Sequence, residues 1–355
     1  MNPRERLLQT RMIEVIGDGR RKPAQMVGDL KIVLREHRLS LPSQNHAHDI
    51  VLVGGGSGTP TVARALQTLG ATPFTMLANT GETQEDKRGN IVGAGLVRRT
   101  FNTIDWIDIV KQSLYSRRAG DWTDMHRLLD RRLDQWTRFG YLAFEAAKQI
   151  WGLQFAIDFW NYQMRNPYRV MPATDQPCNI VFQVGREKYS FYEYAMRSND
   201  SRLATKIYLE PIVMMTPAAD ELLSHTKVAI IGPGDVHFSV LFHFAVYLFT
   251  PALVQVPKII LVANLTARPM DIPNFTLRQF LDLYDLYLPL NKEIIVLAHQ
   301  GEVAAENPLR DDIQGSSYGR FQIVRANLAS TRHSHNQQLI HDEDLLAQAL
   351  KPLIV

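Results

Sequence analysis

The stretch from Val51 to Ala65, VLVGGGSGTPTVARA, constrains the fold of this chain more than any other. An apolar run ends in glycines, and apolar residues then recur at helical spacing. Glycines let a backbone approach a ligand closely, and the N–H groups at a helix start attract anions. We therefore predict a strand, a phosphate-binding glycine loop and a helix; the alternative is a tight turn that binds nothing. The predicted ligand-binding residues of this loop are Gly55, Gly56, Ser57, Gly58 and Thr59.

The residues after the loop disfavour two common phosphate-binding motifs. A P-loop continues with Gly-Lys-Ser/Thr, whereas here Thr59-Pro60 follows Gly58. The dinucleotide motif needs a glycine where this chain has Thr59, and no well-placed acidic residue follows. We therefore expect neither an ATPase nor an NAD site, and we expect no haem.

A second glycine loop follows the apolar strand from Lys227 to Ile231, with the sequence Gly-Pro-Gly-Asp. A third polar loop spans residues 79 to 90, after the strand from Phe74 to Ala78. In open α/β sheets, ligands bind outside the carboxyl ends of the strands, so these loops should line one crevice. The further ligand-binding residues that we predict there are Asn79, Gly234, Ser239 and Asn264.

Strands that alternate with helices predict an α/β fold, a Rossmann-like, doubly wound and mainly parallel sheet with an inserted helical and β-hairpin region. We expect a basic helical extension over residues 1–48 and a single domain over 49–350. The helical insertion should cover about 101–170 and the β-hairpin region about 178–215. Deleting residues 1–40 should leave folding intact, because the sheet begins at Ile50.

Three further segments carry specific expectations. The apolar segment from Val240 to Pro257 could span a membrane, but polar residues and prolines interrupt it, so we predict one buried helix and no membrane span. Phe321 to Ala326 should form an edge strand. Asp342 to Lys351 should form a closing helix.

Composition places the chain among ordinary globular proteins. It has 355 residues, 45% of them hydrophobic, and Cys178 is its only cysteine, which excludes an intrachain disulfide. We expect a cytoplasmic protein, since the basic N-terminal stretch has no continuous apolar segment of the secretory type. Nine of the Lys and Arg residues, against five acidic ones, lie in residues 1–48. Without a nucleic-acid motif, this indicates a solvated helix, so nucleic acid is not an expected partner. Whether the protein forms a homo-oligomer is left open by the sequence.

Several motifs together resemble the family of 2-phospho-L-lactate transferase and the gluconeogenesis factor-like proteins, the CofD-like and YvcK-like groups. In chain order they are GGGSGTPTVARAL, ANTGE, IGPGDVHFSVLFHF, ILVANLTARP and HDEDLLAQAL, over roughly residues 50–350. The resemblance implies a Rossmann-like sheet and a nucleotide ligand that carries phosphate. That ligand is a lactyl diphosphoguanosine in the transferases and a uridine nucleotide sugar in the regulatory group.

The sequence departs from both groups at the third loop. The transferases carry Asn-Thr-Gly-Asp-Asp, whose carboxylates serve a magnesium ion, and this chain has Asn79-Thr80-Gly81-Glu82-Thr83. The resemblance leaves Glu82 as the candidate Mg²⁺ ligand, and Glu82, Asp235 and His237 as candidate catalytic residues. We therefore expect a cytoplasmic binding protein for a nucleotide-sugar-like ligand, a gluconeogenesis factor-like regulator of central or cell-wall metabolism. The alternative is a magnesium-dependent transferase of a phosphate-bearing group to an alcohol.

The C-terminal histidines form the remaining cluster of metal-binding residue types. His333, His335 and His341 could bind zinc, but no cysteine or fixed third ligand accompanies them. We expect a cluster that faces solvent.

Overall fold

The computed structural model is built around one sheet of eight strands. The structure describes residues 3–17, 21–37, 48–56, 58–81, 90–190, 194, 204, 206–266, 275–301, 303, 305, 307–333 and 339–354. The strands of this sheet are β1 (Ile50–Gly54), β2 (Thr75–Ala78), β3 (Arg169–Pro172), β7 (Val228–Ile231), β8 (Lys258–Val262), β9 (Ile294–His299), β10 (Ser317–Tyr318) and β11 (Phe321–Ala326). Their order across the sheet is β10-β11-β9-β8-β7-β1-β2-β3, and every neighbouring pair is parallel except β10 and β11. This architecture confirms the predicted fold class.

The central strands are short apolar runs because both faces of a parallel sheet are covered. Val51, Leu52 and Val53 in β1 are fully buried, and so are Ile230 and Ile231 in β7. The helices are α1 (Pro3–Ile16), α2 (Pro23–Glu36), α3 (Gly58–Thr68), α4 (Gly93–Phe101), α5 (Ile107–Tyr115), α6 (Asp124–Asp130), α7 (Phe139–Trp151), α8 (Leu153–Met164), α9 (Pro217–His225), α10 (Leu241–Ala245), α11 (Phe249–Leu253), α12 (Leu277–Asp285) and α13 (Glu343–Ile354).

The N-terminal helices pack against the rest of the protein. Met12 in α1 and Leu30 and Leu34 in α2 are fully buried, and α2 lies against α7. From the sequence alone, we predict that the chain still folds when residues 1–40 are deleted. This burial leads us to expect instead that their removal exposes an apolar face of α7.

The inserted region contains helices and a small separate sheet. Helices α5 to α8 cover most of the segment predicted to be helical, with a break between α6 and α7. A three-stranded antiparallel sheet follows, in the order β5-β4-β6. Its strands are β4 (Asn179–Val184), β5 (Glu187–Ser190) and β6 (Lys206–Glu210), and the β4–β5 hairpin turns at the predicted Gly185-Arg186.

The structure corrects the prediction for the segment from Val240 to Pro257. Two short helices, α10 and α11, replace the single buried helix, and Leu248 between them has a φ of 72°. A leucine rarely adopts this left-handed conformation, so the apolar pattern could not reveal the break. No helix in the described part of the chain is long and apolar enough to cross a membrane.

Three features of the strands also differ from the predictions. Strand β11 is not an edge strand, because β10 pairs with it on the outer side. Strand β3 was missed, and it pairs in parallel with β2 as the opposite edge. A two-stranded hairpin of β12 (Ala329–His333) and β13 (Leu339–His341) was missed as well.

Candidate functional site

The two predicted glycine loops lie side by side where the strand order reverses. Strand β1 pairs with β2 on one side and with β7 on the other, so the chain leaves the sheet in opposite directions from this point. The loops follow the carboxyl ends of β1 and β7. In doubly wound sheets, this reversal point is the usual position of a ligand crevice.

The loops touch each other through their glycines. A Cβ at position 58 would lie 2.2 Å from the carbonyl oxygen of Pro233, and a Cβ at position 234 would lie 3.0 Å from the carbonyl oxygen of Gly55. At Gly54, whose φ is +156°, a Cβ would lie 2.5 Å from the hydroxyl oxygen of Thr59. The loops therefore need glycine at these positions in order to pack.

A buried carboxylate contacts the first loop. The Gly56 N–H donates a hydrogen bond to Oδ1 of Asp108 over 3.0 Å, and Asp108 on α5 is 1% exposed. A Cβ at Gly55 would lie 2.2 Å from the other oxygen of the same carboxylate. The chain itself thus supplies an anion to one of the N–H groups that the sequence assigned to a ligand phosphate. Asp108 was not among the predicted site residues.

Two side chains from different helices hold the end of β1. The carbonyl oxygen of Gly54 accepts a hydrogen bond from Nε2 of Gln112 over 3.0 Å and one from Nε2 of His243 over 3.1 Å. Burial lowers the pKa of His243 to about 4, and its hydrogen bond to Gly54 opposes this only in part. His243 is therefore neutral near pH 7 and carries its proton on Nε2.

Asn79 connects the end of β2 to the second loop. Its amide nitrogen donates to the carbonyl oxygen of Phe238 over 2.6 Å, and its amide oxygen accepts from the Gly81 N–H over 2.8 Å. The side chain is 1% exposed. These contacts give Asn79 a structural role in addition to the ligand role predicted for it.

Asn264, at the end of β8, holds the second loop in the same way. Its amide oxygen accepts from the Gly234 N–H over 3.1 Å, and its amide nitrogen donates to the Gly234 carbonyl oxygen over 2.8 Å. The Gly234 N–H is thus already bound to protein. Asn264 remains partly exposed to the crevice.

The acidic residue of the second loop is a cap for the turn that follows it. Oδ1 of Asp235 accepts a hydrogen bond from the Phe238 N–H over 3.1 Å. Asp235, His237 and Ser239 are all buried. This contact accounts for an aspartate in a loop where the sequence led us to expect phosphate, since one of its oxygens stabilises the backbone of the turn.

The crevice between the loops has a volume of about 60 Å³. Of the predicted residues, it brings together Gly58, Gly234 and Asn264. Thr61 and Thr266, which sequence reasoning missed, also line it, and so does His341, for which the sequence predicted a position facing solvent. The signal for Thr61 was present, because it lies one turn into the helix that follows the glycine loop.

A second cavity adjoins the crevice across β13, and Ile340 and His341 line both. Its volume is about 580 Å³. Basic, aromatic and acidic side chains line it, among them Arg64, Tyr115, Arg117, Arg118, Trp122 and Glu343. Arg64 and Arg118 both pair with Glu343, so opposite charges meet within this cavity.

His341 does not face solvent as the sequence led us to expect. It is 6% exposed, its Nε2 lies 3.1 Å from the Ala263 carbonyl oxygen, and burial lowers its pKa to about 4. His335 lies outside the described residues, and so do Glu82 and Ser57. Within the described part of the chain, no group of three His, Cys, Asp or Glu residues could hold a metal ion. The predicted Mg²⁺ site, which depends on Glu82, stays a prediction.

Comparisons with known proteins agree with this fold. The model of the family described as 2-phospho-L-lactate transferase CofD matches residues 50–317. Two crystal structures of protein BH3568 from Bacillus halodurans, one described as a member of the UPF0052 family, share the fold. Their sequence identities are 15% and 14% and their TM-scores 0.71 and 0.72, and both comparisons cover 86% of this chain and 99% of the other. A search of curated protein sequences finds no match. The chain therefore belongs to the 2-phospho-L-lactate transferase CofD family.

Proposed function

We propose that this protein binds a phosphate-bearing nucleotide, of the nucleotide-sugar type, in the crevice between its two glycine loops. The observation that supports this most is the position of the crevice, outside the carboxyl ends of β1 and β7 where the strand order reverses. The start of α3 contributes to this crevice through Gly58. Free N–H groups and the helix dipole favour an anion there.

The role that fits this site best is that of a cytoplasmic regulator like the gluconeogenesis factor-like proteins. The side chains that hold the loops are Asp108, Gln112, His243 and Asn264. A site that is already ordered loses little conformational entropy on binding. Within the described residues, the side chains that line the crevice offer hydroxyl, amide and imidazole groups and no carboxylate. We infer that such a lining favours binding of the ligand without a chemical reaction.

Thermal unfolding with uridine and guanosine nucleotides, with and without Mg²⁺, tests this function. A ligand that binds only the folded protein stabilises it by about 2.7 kcal/mol at a concentration one hundred times its Kd. We expect at least one nucleoside diphosphate or nucleotide sugar to raise the Tm. If none does so at millimolar concentration, the proposed function is wrong.

A variant that fills the crevice locates the binding. Thr266 is half-buried and lines it, so Thr266→Trp should abolish the ligand-induced rise in Tm and leave the Tm of the free protein nearly unchanged. Leu290→Trp is the matched control, because Leu290 is 78% exposed and far along the chain from both loops. An undiminished rise in Thr266→Trp would place the nucleotide elsewhere.

The family match favours one second candidate, a transferase that moves a phosphate-bearing group from an activated nucleotide to an alcohol. Such chemistry depends mainly on positioning and charge neutralisation by a metal ion. One oxygen of Asp235 already caps a turn, so Glu82 would have to be the principal metal ligand. We expect Glu82→Gln to abolish Mg²⁺-dependent turnover if this candidate is right. Unchanged turnover and affinity in that variant would eliminate it.

A further inference from the structure

Large apolar side chains are exposed close together on the segments that follow β6, α10 and α12. In the described part of the chain, thirteen large apolar residues are exposed, and six of them lie on these segments: Ile212, Met214, Tyr247, Leu248, Val254 and Leu286. We call these six residues the apolar patch. Ile212 is 77% exposed and Leu286 is 67% exposed. Exposed apolar side chains that stand alone are ordinary, whereas a contiguous patch of them indicates an interaction site.

Hydrogen bonds bring the segments of the apolar patch together. The Tyr247 N–H donates to the Val213 carbonyl oxygen over 2.9 Å, and the Met215 N–H donates to the Tyr247 carbonyl oxygen over 3.2 Å. The Thr250 hydroxyl donates to the Tyr287 carbonyl oxygen over 3.2 Å. Each of these bonds joins a patch residue or close neighbours of patch residues in the chain. The six side chains therefore belong to one surface.

The backbone at Leu248 is strained in a way that keeps an apolar side chain in this patch. Leu248 has a φ of 72° and is 43% exposed. Glycine would adopt this left-handed conformation without a steric cost. Strained residues of this kind concentrate at binding and functional sites, where the side chain itself is needed. The exposed leucine is therefore a second sign that this surface binds a partner.

The segments that carry the patch contain no charged residue. Residues 211–216, 246–257 and 286–291 lack Asp, Glu, Lys and Arg. The charged residues that directly precede two of these segments are already paired, Glu210 with Lys188 and Asp285 with Arg320. Such a surface can face an identical copy across a two-fold axis without bringing like charges together. A membrane surface fits less well, because the segments lack the Lys and Arg residues that attract anionic lipids.

We propose that the apolar patch is the interface of a homodimer with two-fold symmetry. Homodimer interfaces are more apolar than interfaces between proteins that also exist apart, which matches an uncharged surface. A few large apolar or aromatic residues near the centre supply most of the binding energy of an interface, and the patch offers six. Val254 lies four residues before the amino end of β8, whereas the crevice lies outside the carboxyl ends of β1 and β7. This inference is therefore independent of the proposed nucleotide binding.

Sedimentation equilibrium of the full chain tests the proposal, because it measures mass in solution. We expect twice the 40.4 kDa of one chain at a protein concentration of about 10 µM, since standard interfaces have micromolar or lower Kd values. Ile212→Asp and Leu286→Asp each place a carboxylate from both copies in the interface, and each should raise the dimer Kd by about a hundredfold or more. Ile32→Asp is the matched control, because Ile32 is 55% exposed on α2, and it should leave the dimer intact. Since all three side chains are exposed, the far-UV circular dichroism should be unchanged.

Several results would overturn the proposal. A native protein that is still monomeric at about 100 µM has no such interface. If Ile212→Asp and Leu286→Asp do not both weaken the dimer, the interface lies elsewhere. Masses that grow beyond a dimer with concentration would show open-ended association instead of a closed two-fold contact. Vesicles of phosphatidylcholine and phosphatidylglycerol test the other occupant: a monomer that binds them, and loses this binding in Ile212→Asp, would assign the patch to a membrane surface.

Discussion

Gly58 lies so close to Pro233 that a side chain at position 58 would start 2.2 Å from the Pro233 carbonyl oxygen. The backbone on both sides of this contact belongs to the loops that follow the two central strands. Backbone atoms rather than side chains therefore set how closely the two loops approach. Backbone atoms cannot move aside by rotating as side chains can.

We expect Gly58→Ala to lower the free energy of unfolding by about 1–3 kcal/mol, since a backbone contact must open to admit the methyl group. The matched control is Gly28→Ala, because Gly28 is exposed in α2 and a Cβ there meets nothing within 4 Å. That change should raise stability by about 0.5–1 kcal/mol, since alanine is the better helix former. Urea unfolding measures both, and an unaffected Gly58→Ala protein would contradict the observed packing.

Asp108→Ala should also lower the free energy of unfolding, by about 1–3 kcal/mol, because it leaves the buried Gly56 N–H without its acceptor. Asp108→Asn retains an oxygen that can accept this hydrogen bond and should cost less. Asp29→Ala is the control, since Asp29 forms an ion pair with Arg21 and is 44% exposed. Its cost should be below about 1 kcal/mol by the same urea unfolding. Equal costs for the two alanine variants would mean that the Asp108 contact contributes nothing.

Leu30→Ala tests whether the N-terminal helices belong to the core. Leu30 is fully buried, so we expect a loss of about 2–5 kcal/mol in the free energy of unfolding. Ile32, two residues away on the same helix, is 55% exposed, and Ile32→Ala should change stability by less than about 1 kcal/mol. A small effect at both positions would restore the view that residues 1–40 can be removed.

His243 makes stability depend on pH in a defined window. Its pKa is about 4 in the folded protein, below the ordinary value of 6.5, so below pH 6.5 the unfolded chain binds a proton that the folded protein does not. Stability should therefore fall as the pH drops from 6.5 to 4, and His243 should account for up to about 3 kcal/mol of the loss. His126 and His341, whose pKa values also lie near 4, act in the same direction.

Comparison of variants isolates this contribution. The Gln side chain of His243→Gln can still donate to Gly54, but it does not titrate. The stability of this variant should therefore fall less steeply over the same pH range, with a slope that corresponds to up to one fewer proton bound on unfolding. His225→Gln is the control, because His225 is exposed at the end of α9. Parallel pH profiles for the native protein and His243→Gln would contradict the assignment.

The sequence predicted the sheet well because its central strands are continuous apolar runs, and it failed where the local pattern was ambiguous. The residues of β3 are Arg169, Val170, Met171 and Pro172, which do not read as a strand. The pairing with β2, a contact between distant parts of the chain, stabilises this strand, and so does the ion pair between Arg169 and Asp158 on the preceding helix α8.

The candidate site was predictable in position but not in detail. Glycine spacing identified both loops, yet it could not show that Asp108 would contact the first one. The polar residues Asp108 and Gln112 are four apart in α5, which places them on one face of this helix. That pattern could have indicated a buried polar contact. Gly56 has a φ of +65°, so any substitution there strains the backbone.

The position of β1 also matters during synthesis. This strand lies in the middle of the sheet, but its neighbour β7 follows the entire inserted region in the chain. As the protein leaves the ribosome, one side of β1 therefore has no hydrogen-bonding partner until β7 emerges. Chaperones that shield unpaired strand edges would have their longest opportunity to act on this chain during that interval.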